Sequence, residues 1–370
     1  MALFWVLVIF FVILLFAIHM GKRNAKDIIL LFTAVTLFLL LVTFRPLETQ
    51  DTEGYAEIFD KIFEASYSEL FGSVDLIRKE PITGTEYGFV LLVKVLQSVF
   101  PYNYRLIFFF IALFEFIFIS LFAANMLKKR SKRLAFYYFF LPYFGLMYFL
   151  VVIRGGLCLS ICLFAFSFNK SKKRNVVFKH LISILFYFVA FTIHRFALLF
   201  LVVELIFFLA PRLKKKESYI IWWLSTGLAV FVITFLFYVP IASLLQLIFS
   251  LNPLLEHYAK YLDVQGGLGG FSFRSLFFWL LGGLVLYGTT DKQFAINKPF
   301  FNVYVAGLFV MGIFSFVPGG SRISDYFFVF LPLMMVDLDY SVKAKKEQYN
   351  LIQSSELIYG VLGTIIIVRL

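Results

Sequence analysis

Charge is scarce in this chain: 15% of its 370 residues are Asp, Glu, Lys or Arg. Soluble globular domains carry about 25%, so a water-soluble enzyme is excluded, and so is a disordered chain. Cysteine is scarcer still, with Cys158 and Cys162 as the whole complement. Two thiols one helical turn apart cannot build a disulfide framework, and a lone C-x-x-x-C is a poor metal site. They read as small packing residues inside an apolar helix. No basic residue precedes the first apolar run, 2–20, while Lys22, Arg23 and Lys26 follow it. A cleavable secretory signal has the reverse order.

What the chain has instead is apolar surface. It is 61% apolar and 21% aromatic, with 52 Phe, and apolar runs recur along its length. That composition specifies an all-α, polytopic transmembrane bundle, here a single integral membrane domain over 1–370. Basic clusters at 22–26, 128–133, 170–179, 212–216, 292–298 and 343–346 set the topology by the positive-inside rule. Placing all six in the cytoplasm, with the N-terminus outside, predicts spans at 2–20, 28–44, 106–126, 134–152, 154–169, 180–193, 196–209, 219–239, 275–290, 299–317, 325–340 and 356–368, about 12 in all. Residues 87–100 (YGFVLLVKVLQSVF) are too few for a span of ~20 residues and carry Lys94; they read as a re-entrant or interfacial helix. Two longer segments fall on the outer face, 45–105 and 240–274. In the first, Tyr55, Ile58, Phe59, Ile62, Phe63 and Leu70 recur at helical spacing opposite an acidic face, which predicts a helix lying on the membrane surface.

The basic residues sort by type as well as by side. On this topology the inner side holds 17 Lys and 5 Arg, and the outer side 4 Lys and 8 Arg. The net charge of +12 therefore reports orientation and calls for no nucleic acid. Arginine's rigid fork of donors matches phosphate oxygens, whereas lysine is a point charge. Arg45, Arg154, Arg195, Arg274 and Arg322 all fall at or beside outer span ends. Singly, each is explained by snorkelling or by pairing with outer acids; together they point to a shared anionic site. A lipid-linked diphosphate suits such a site, because its negative charge grows as the glycosidic bond breaks.

Transfer to a hydroxyl also needs a carboxylate or an imidazole beside the acceptor. His194 stands at an outer helix turn next to Arg195; it is either that group or a polar marker of the membrane edge. Asp51 is either that group or the N-cap of the surface helix. Asp325, three residues after Arg322, is the third candidate, or Arg322's ion-pair partner. His257 lies in the second outer segment. Asp51 and Glu53 form a D-x-E pair with no further ligand in view, so no metal and no cofactor is expected. Glu115 and Glu204 fall inside spans, where each reads as an interhelical hydrogen-bonding group.

The order of these features resembles the Wzy-type repeat-unit polymerases of bacterial surface polysaccharides, in their EpsG-like branch. The matching stretches are RPLETQDTEGY (45–55), TEYGFVLLVKVL (85–96), VIRGGLCLSICLFAF (152–166), TIHRFALLFL (192–201) and SRISDYFF (321–328). Many members have Gln in place of Gly155 and Ser in place of Arg195, so the resemblance carries Arg154 and His194 as catalytic rather than Arg195. It implies a GT-C-like glycosyltransferase of the bacterial inner membrane, acting on the outer face. Such an enzyme moves a glycan from undecaprenyl diphosphate to the non-reducing end of a lipid-linked repeat unit. Arg154, Arg45 and Arg322 would hold the diphosphate, and Asp51 or His194 the acceptor hydroxyl. Tyr55 would line the path of the sugar or lipid. The implied partners are the undecaprenyl-diphosphate-linked oligosaccharide, membrane lipid and a chain-length regulator protein. An O-antigen ligase shares this chemistry with a different acceptor. A lipid-linked oligosaccharide flippase would want its arginines along a cavity reachable from both faces.

Overall fold

Apolar runs along the chain fold as helices, and no strand occurs among the described residues. The computed structural model describes residues 35–36, 38–45, 50–71, 86–101, 103–170, 176–209, 216–236, 238–251, 273–314 and 321–341. Outside them lie the expected spans 2–20 and 356–368, the basic clusters 22–26 and 343–346, His257 and the side chain of Asp51. The described residues divide into two compact units, one within Met1–Phe200 and the other within Leu201–Ser355.

The first unit begins with a helical stretch ending at Thr43. It continues with α1 (Gln50–Glu64), α2 (Tyr67–Phe71), α3 (Tyr87–Val99), α4 (Tyr104–Met126) and α5 (Arg130–Phe140). A π-helical segment (Leu141–Val151) leads directly into α6 (Ile153–Lys170), followed by α7 (Val176–Ile193). A single 3-10 turn (Arg195–Ala197) then opens α8 (Leu198–Leu209), within which the first unit ends at Phe200. The second unit contains α9 (Lys216–Leu236), α10 (Tyr238–Leu251), α11 (Phe273–Gly288), α12 (Asp291–Phe314), α13 (Ser321–Phe328) and α14 (Leu331–Ser341). Helix starts follow side-chain chemistry. Asn103 accepts from the Leu106 N–H at the head of α4. Ser66 with Glu69, and Thr290 with Gln293, form reciprocal capping boxes at α2 and α12.

The count of about 12 spans does not survive. Among the described residues three helices are long and apolar enough to cross a membrane: α4 with 23 residues, α7 with 18 and α12 with 24. A fourth is available if α5 and the π segment form one crossing, although they are bent by 57°. The GT-C-like bundle falls with the count. Expected spans such as 196–209 and 275–290 are already shorter than the ~20 residues a bilayer core requires, and a backbone break divides 325–340. Run 196–209 yields α8, 12 residues long; run 275–290 yields α11, with 16. Run 325–340 is divided between α13 and α14 by a turn at Val329–Phe330. Helix α3 has 13 residues, too few to cross.

The amphipathic stretch expected on the membrane surface turns its apolar face to protein. Phe59 and Ile62 are fully buried, and the Phe59 ring meets Phe89 of α3 at 6.4 Å and Phe108 of α4 at 5.3 Å. Periodicity shows that a face is apolar and cannot tell lipid from a neighbouring helix. Lys94, anomalous in an apolar helix, belongs to the same contact. Its Nζ donates to the carbonyls of Ile62 (2.8 Å), Phe63 (3.1 Å) and Ala65 (2.7 Å), closing the C-terminal end of α1. Gln97, one turn on, donates to the Phe59 carbonyl at 2.8 Å.

Helix α6 is the axis of the first unit, packed against α4 and α7. Gly155, Gly156, Cys158, Ser160, Cys162, Ala165 and Ser167 let its neighbours approach closely; both cysteines are free and buried. In the second unit Trp223 of α9 and Trp279 of α11 stack at 4.6 Å and 10°. The Trp223 indole donates to the Trp279 carbonyl at 3.0 Å, and the Trp279 indole to the Trp223 carbonyl at 3.4 Å.

Lys94→Met keeps the aliphatic stem but abandons three carbonyls. Its thermal unfolding in detergent should show a loss of about 2 kcal/mol, the scale of hydrogen bonds made by a charged group. Lys94→Arg should recover part of it.

Candidate functional site

The site forms where α6 begins. Val152 leaves helical geometry (φ −105°, ψ 59°), so Arg154, Gly155 and Gly156 occupy the first turn of a new helix. Arg154 Nη1 lies 2.8 Å from Oε2 of Glu86. Glu86 is the N-cap residue of α3, yet its carboxylate caps nothing in α3. Its other oxygen, Oε1, stands 3.4 Å from Nδ1 of His194 and accepts from the Arg195 N–H at 3.3 Å. One carboxylate thus meets a guanidinium from one distant part of the chain and an imidazole and a backbone amide from another.

His194 owes its position to the break between α7 and α8. Its backbone is extended (φ −156°, ψ 127°), its ring lies over Phe196 at 4.7 Å, and Nδ1 accepts from the Phe196 N–H at 3.4 Å. Its carbonyl accepts from the Cys158 thiol at 3.5 Å. The Tyr55 hydroxyl of α1 completes the group, accepting from the Arg154 N–H at 3.4 Å. Glycine permits the convergence. A Cβ at Gly88 would stand 2.7 Å from the Thr192 carbonyl oxygen, so only glycine lets the start of α3 reach the end of α7.

Arg45 is buried beside this group. Its side chain is 3% exposed and lies over the Phe108 ring at 3.8 Å. The π segment explains what it does there. Its last amide pairing is Val152 N–H to the Met147 carbonyl at 2.9 Å, and the carbonyls beyond have no turn to accept. Arg45 Nη1 donates to those of Leu150 (2.7 Å) and Phe149 (3.5 Å). Burial draws the Arg45 guanidinium down to about 10, against the pull of Glu115 and Tyr55, and leaves it cationic at neutral pH. Glu115 of α4 is fully buried, and neither of its oxygens has a hydrogen-bond partner among the described residues. The interhelical hydrogen bonding expected of Glu115 is therefore not what holds it; the carboxyl rests against Gly156 in space a side chain would fill.

The first unit thus brings together Arg45, Tyr55, Arg154, His194 and Arg195. Asp51 sits in the first turn of α1. Arg274, Arg322 and Asp325 belong to the second unit, where Arg274 of α11 pairs with the buried Asp325 of α13 and lies over Phe278. Among the described residues no three metal-ligating side chains cluster. Glu86 is the residue that sequence reasoning missed. Its signal was an acid placed immediately before a helix start, within TEYGF.

A model of the EpsG family matches residues 28–366, a stretch that takes in every residue of this site. The chain belongs to the EpsG family. No curated protein and no solved structure matches it. EpsG membership supports, in general terms, a Wzy-type polysaccharide-polymerase-like function and an enzymatic, membrane-associated role in glycan processing, with lipid-linked polysaccharide as substrate.

A methyl group at Gly156 would stand 2.6 Å from Glu115 Oε1 and 2.7 Å from the Tyr148 carbonyl oxygen. At Gly54, in α1, it would meet nothing within 4 Å. Gly156→Ala should lower stability by about 1–3 kcal/mol, as overpacking does. Gly54→Ala should raise it by about 0.5–1 kcal/mol through helix propensity. Thermal unfolding of the two variants, side by side, checks both.

Proposed function

We propose that this EpsG-family chain polymerises a surface polysaccharide at the outer face of the bacterial cytoplasmic membrane. It transfers a growing glycan from undecaprenyl diphosphate to the non-reducing end of a lipid-linked repeat unit. The observation that carries the reading is the meeting of Arg154, His194, the Arg195 amide and Tyr55 around Glu86, with Arg45 buried beside them. Arg154 takes the diphosphate, and its fork of donors favours the leaving group more as charge accumulates on it. Arg45 adds positive potential from a buried position, where solvent screens it little.

His194 takes the acceptor hydroxyl. At rest Nδ1 accepts from the Phe196 N–H; for Nε2 to serve as the base the ring proton shifts to Nδ1, where the facing Glu86 carboxylate holds it. Asp51, one turn before Tyr55 on α1, is the alternative base. The step is a displacement in which the acceptor oxygen bonds to the anomeric carbon, the bond to the diphosphate oxygen breaks, and the hydroxyl proton passes to the base. Tyr55 lines the sugar path. A chain-length regulator protein and the surrounding lipid are the partners of this reading.

The test is complementation of a polymerase-null strain, with glycan length read on a gel. Arg154→Ala and His194→Ala should each reduce polymer by at least about 100-fold, the usual scale for a group acting on the transition state. Normal ladders from Arg154→Ala together with Arg45→Ala would remove the diphosphate assignment. Purified protein given lipid-linked repeat unit alone should lengthen it; product only after addition of a second acceptor would mark a ligase instead.

A further inference from the structure

We infer that Glu86 is an internal anion standing in for the diphosphate: it holds Arg154 while the site is empty and gives it up when the lipid-linked donor binds. The inference rests on the reading above, in which Arg154 receives the diphosphate. Two donors of different kinds, the Arg154 guanidinium and the Arg195 N–H, meet on this carboxylate with the His194 ring beside it, and each donor would serve a phosphate oxygen equally well. The carboxylate is half-buried, with the Glu86 side chain 14% and the Arg154 side chain 24% exposed. An arriving anion can therefore reach Arg154, and Glu86 can turn away without being stranded in an apolar core.

The two carboxylate oxygens divide the work. Oε2 faces Arg154, whereas Oε1 faces His194 Nδ1 and the Arg195 N–H. Releasing Arg154 breaks the contact of one oxygen and leaves the contacts of the other in place, so the carboxylate pivots rather than departs. A carboxylate and a diphosphate cannot both stay against one guanidinium without like-charge repulsion. Glu86 therefore weakens binding of the donor in its ground state, and it weakens equally the hold on the polyprenyl diphosphate left after transfer. Uniform binding of donor and transition state would not raise turnover; a competing internal anion removes that excess and returns Arg154 to its resting partner after each transfer. Through Oε1, Glu86 is a positioning residue for His194.

The experiment uses the full chain in lipid nanodiscs, with inorganic pyrophosphate as the probe. Its binding is measured calorimetrically for the wild type, Glu86→Gln, Arg154→Ala and the double variant. Glu86→Gln should bind pyrophosphate about tenfold tighter, the effect of removing one like charge near the ligand. It should also show a lower KM for the lipid-linked donor together with a lower kcat. Arg154→Ala should abolish the gain in the double variant. A merely structural Glu86 predicts the opposite sign, weaker binding along with a lower unfolding temperature. Equal or weaker binding by a Glu86→Gln protein that unfolds like the wild type would overturn the inference. Should Glu86→Gln fold poorly, Glu86→Ser, whose hydroxyl can still accept from the Arg195 N–H, is held to the same criterion. If Arg154→Ala weakens pyrophosphate binding but neither Glu86 variant tightens it, the inference fails alone. If the wild type and Arg154→Ala bind equally or not at all, the diphosphate reading fails with it.

Discussion

The carboxylate of Glu86 ties together the beginning of α3, the beginning of α6 and the turn between α7 and α8. Only the turn is capped by its own local sequence, through His194 Nδ1 on the Phe196 N–H. Helix α3 has an acid at its N-cap that faces away from it, α6 starts directly after a π segment, and α7 stops at an extended His194. The start of α3 supplies the anion, the start of α6 gives it one partner and the turn gives it two. Removing one partner of a partly buried ion pair leaves the other as an uncompensated charge, at a cost far above what the intact pair contributes. The close contact of Gly88 with Thr192 and the burial of Cys158 against the His194 carbonyl follow from that convergence.

A second ionic layer lies behind the first and has a different logic. Arg45 is held by backbone carbonyls and the Phe108 ring, so its guanidinium is fixed by the π segment rather than by an acid. Glu115 is admitted because Gly156 has no side chain. The first turn of α6 thereby serves both layers: Arg154 reaches Glu86, Gly156 makes room for Glu115, and Gly155 lies against Tyr148 and His194.

Much of the fold and part of the site were legible in the sequence. Apolar runs announced helices. The Arg154-Gly155-Gly156 and His194-Arg195 turns were visible as polar breaks between apolar stretches, and the family was legible from the order of such breaks. Span length was not, because hydropathy is blind to the turn at Val329–Phe330 or the bend before Tyr143. The destination of an apolar face was not either, as Phe59 and Ile62 show. Lys94 was seen as an oddity, but its three carbonyls lie about thirty residues upstream, beyond any local pattern. Glu86 escaped for the same reason. An acid at a helix start reads as a cap, and only the fold brings residues 154 and 194 to it.

The chain's own backbone and acids engage four of its cations. Lys94 is occupied with three carbonyls and Arg45 with two, Arg154 is matched by Glu86, and Arg274 by Asp325. The two populations of cation also differ in their response to salt. Exposed lysines such as Lys128 and Lys129 are screened over about 8 Å at physiological ionic strength. Arg45, enclosed by protein, keeps its potential in brine as in dilute buffer. Ionic strength will act on how this protein meets charged surfaces and far less on what happens inside its site.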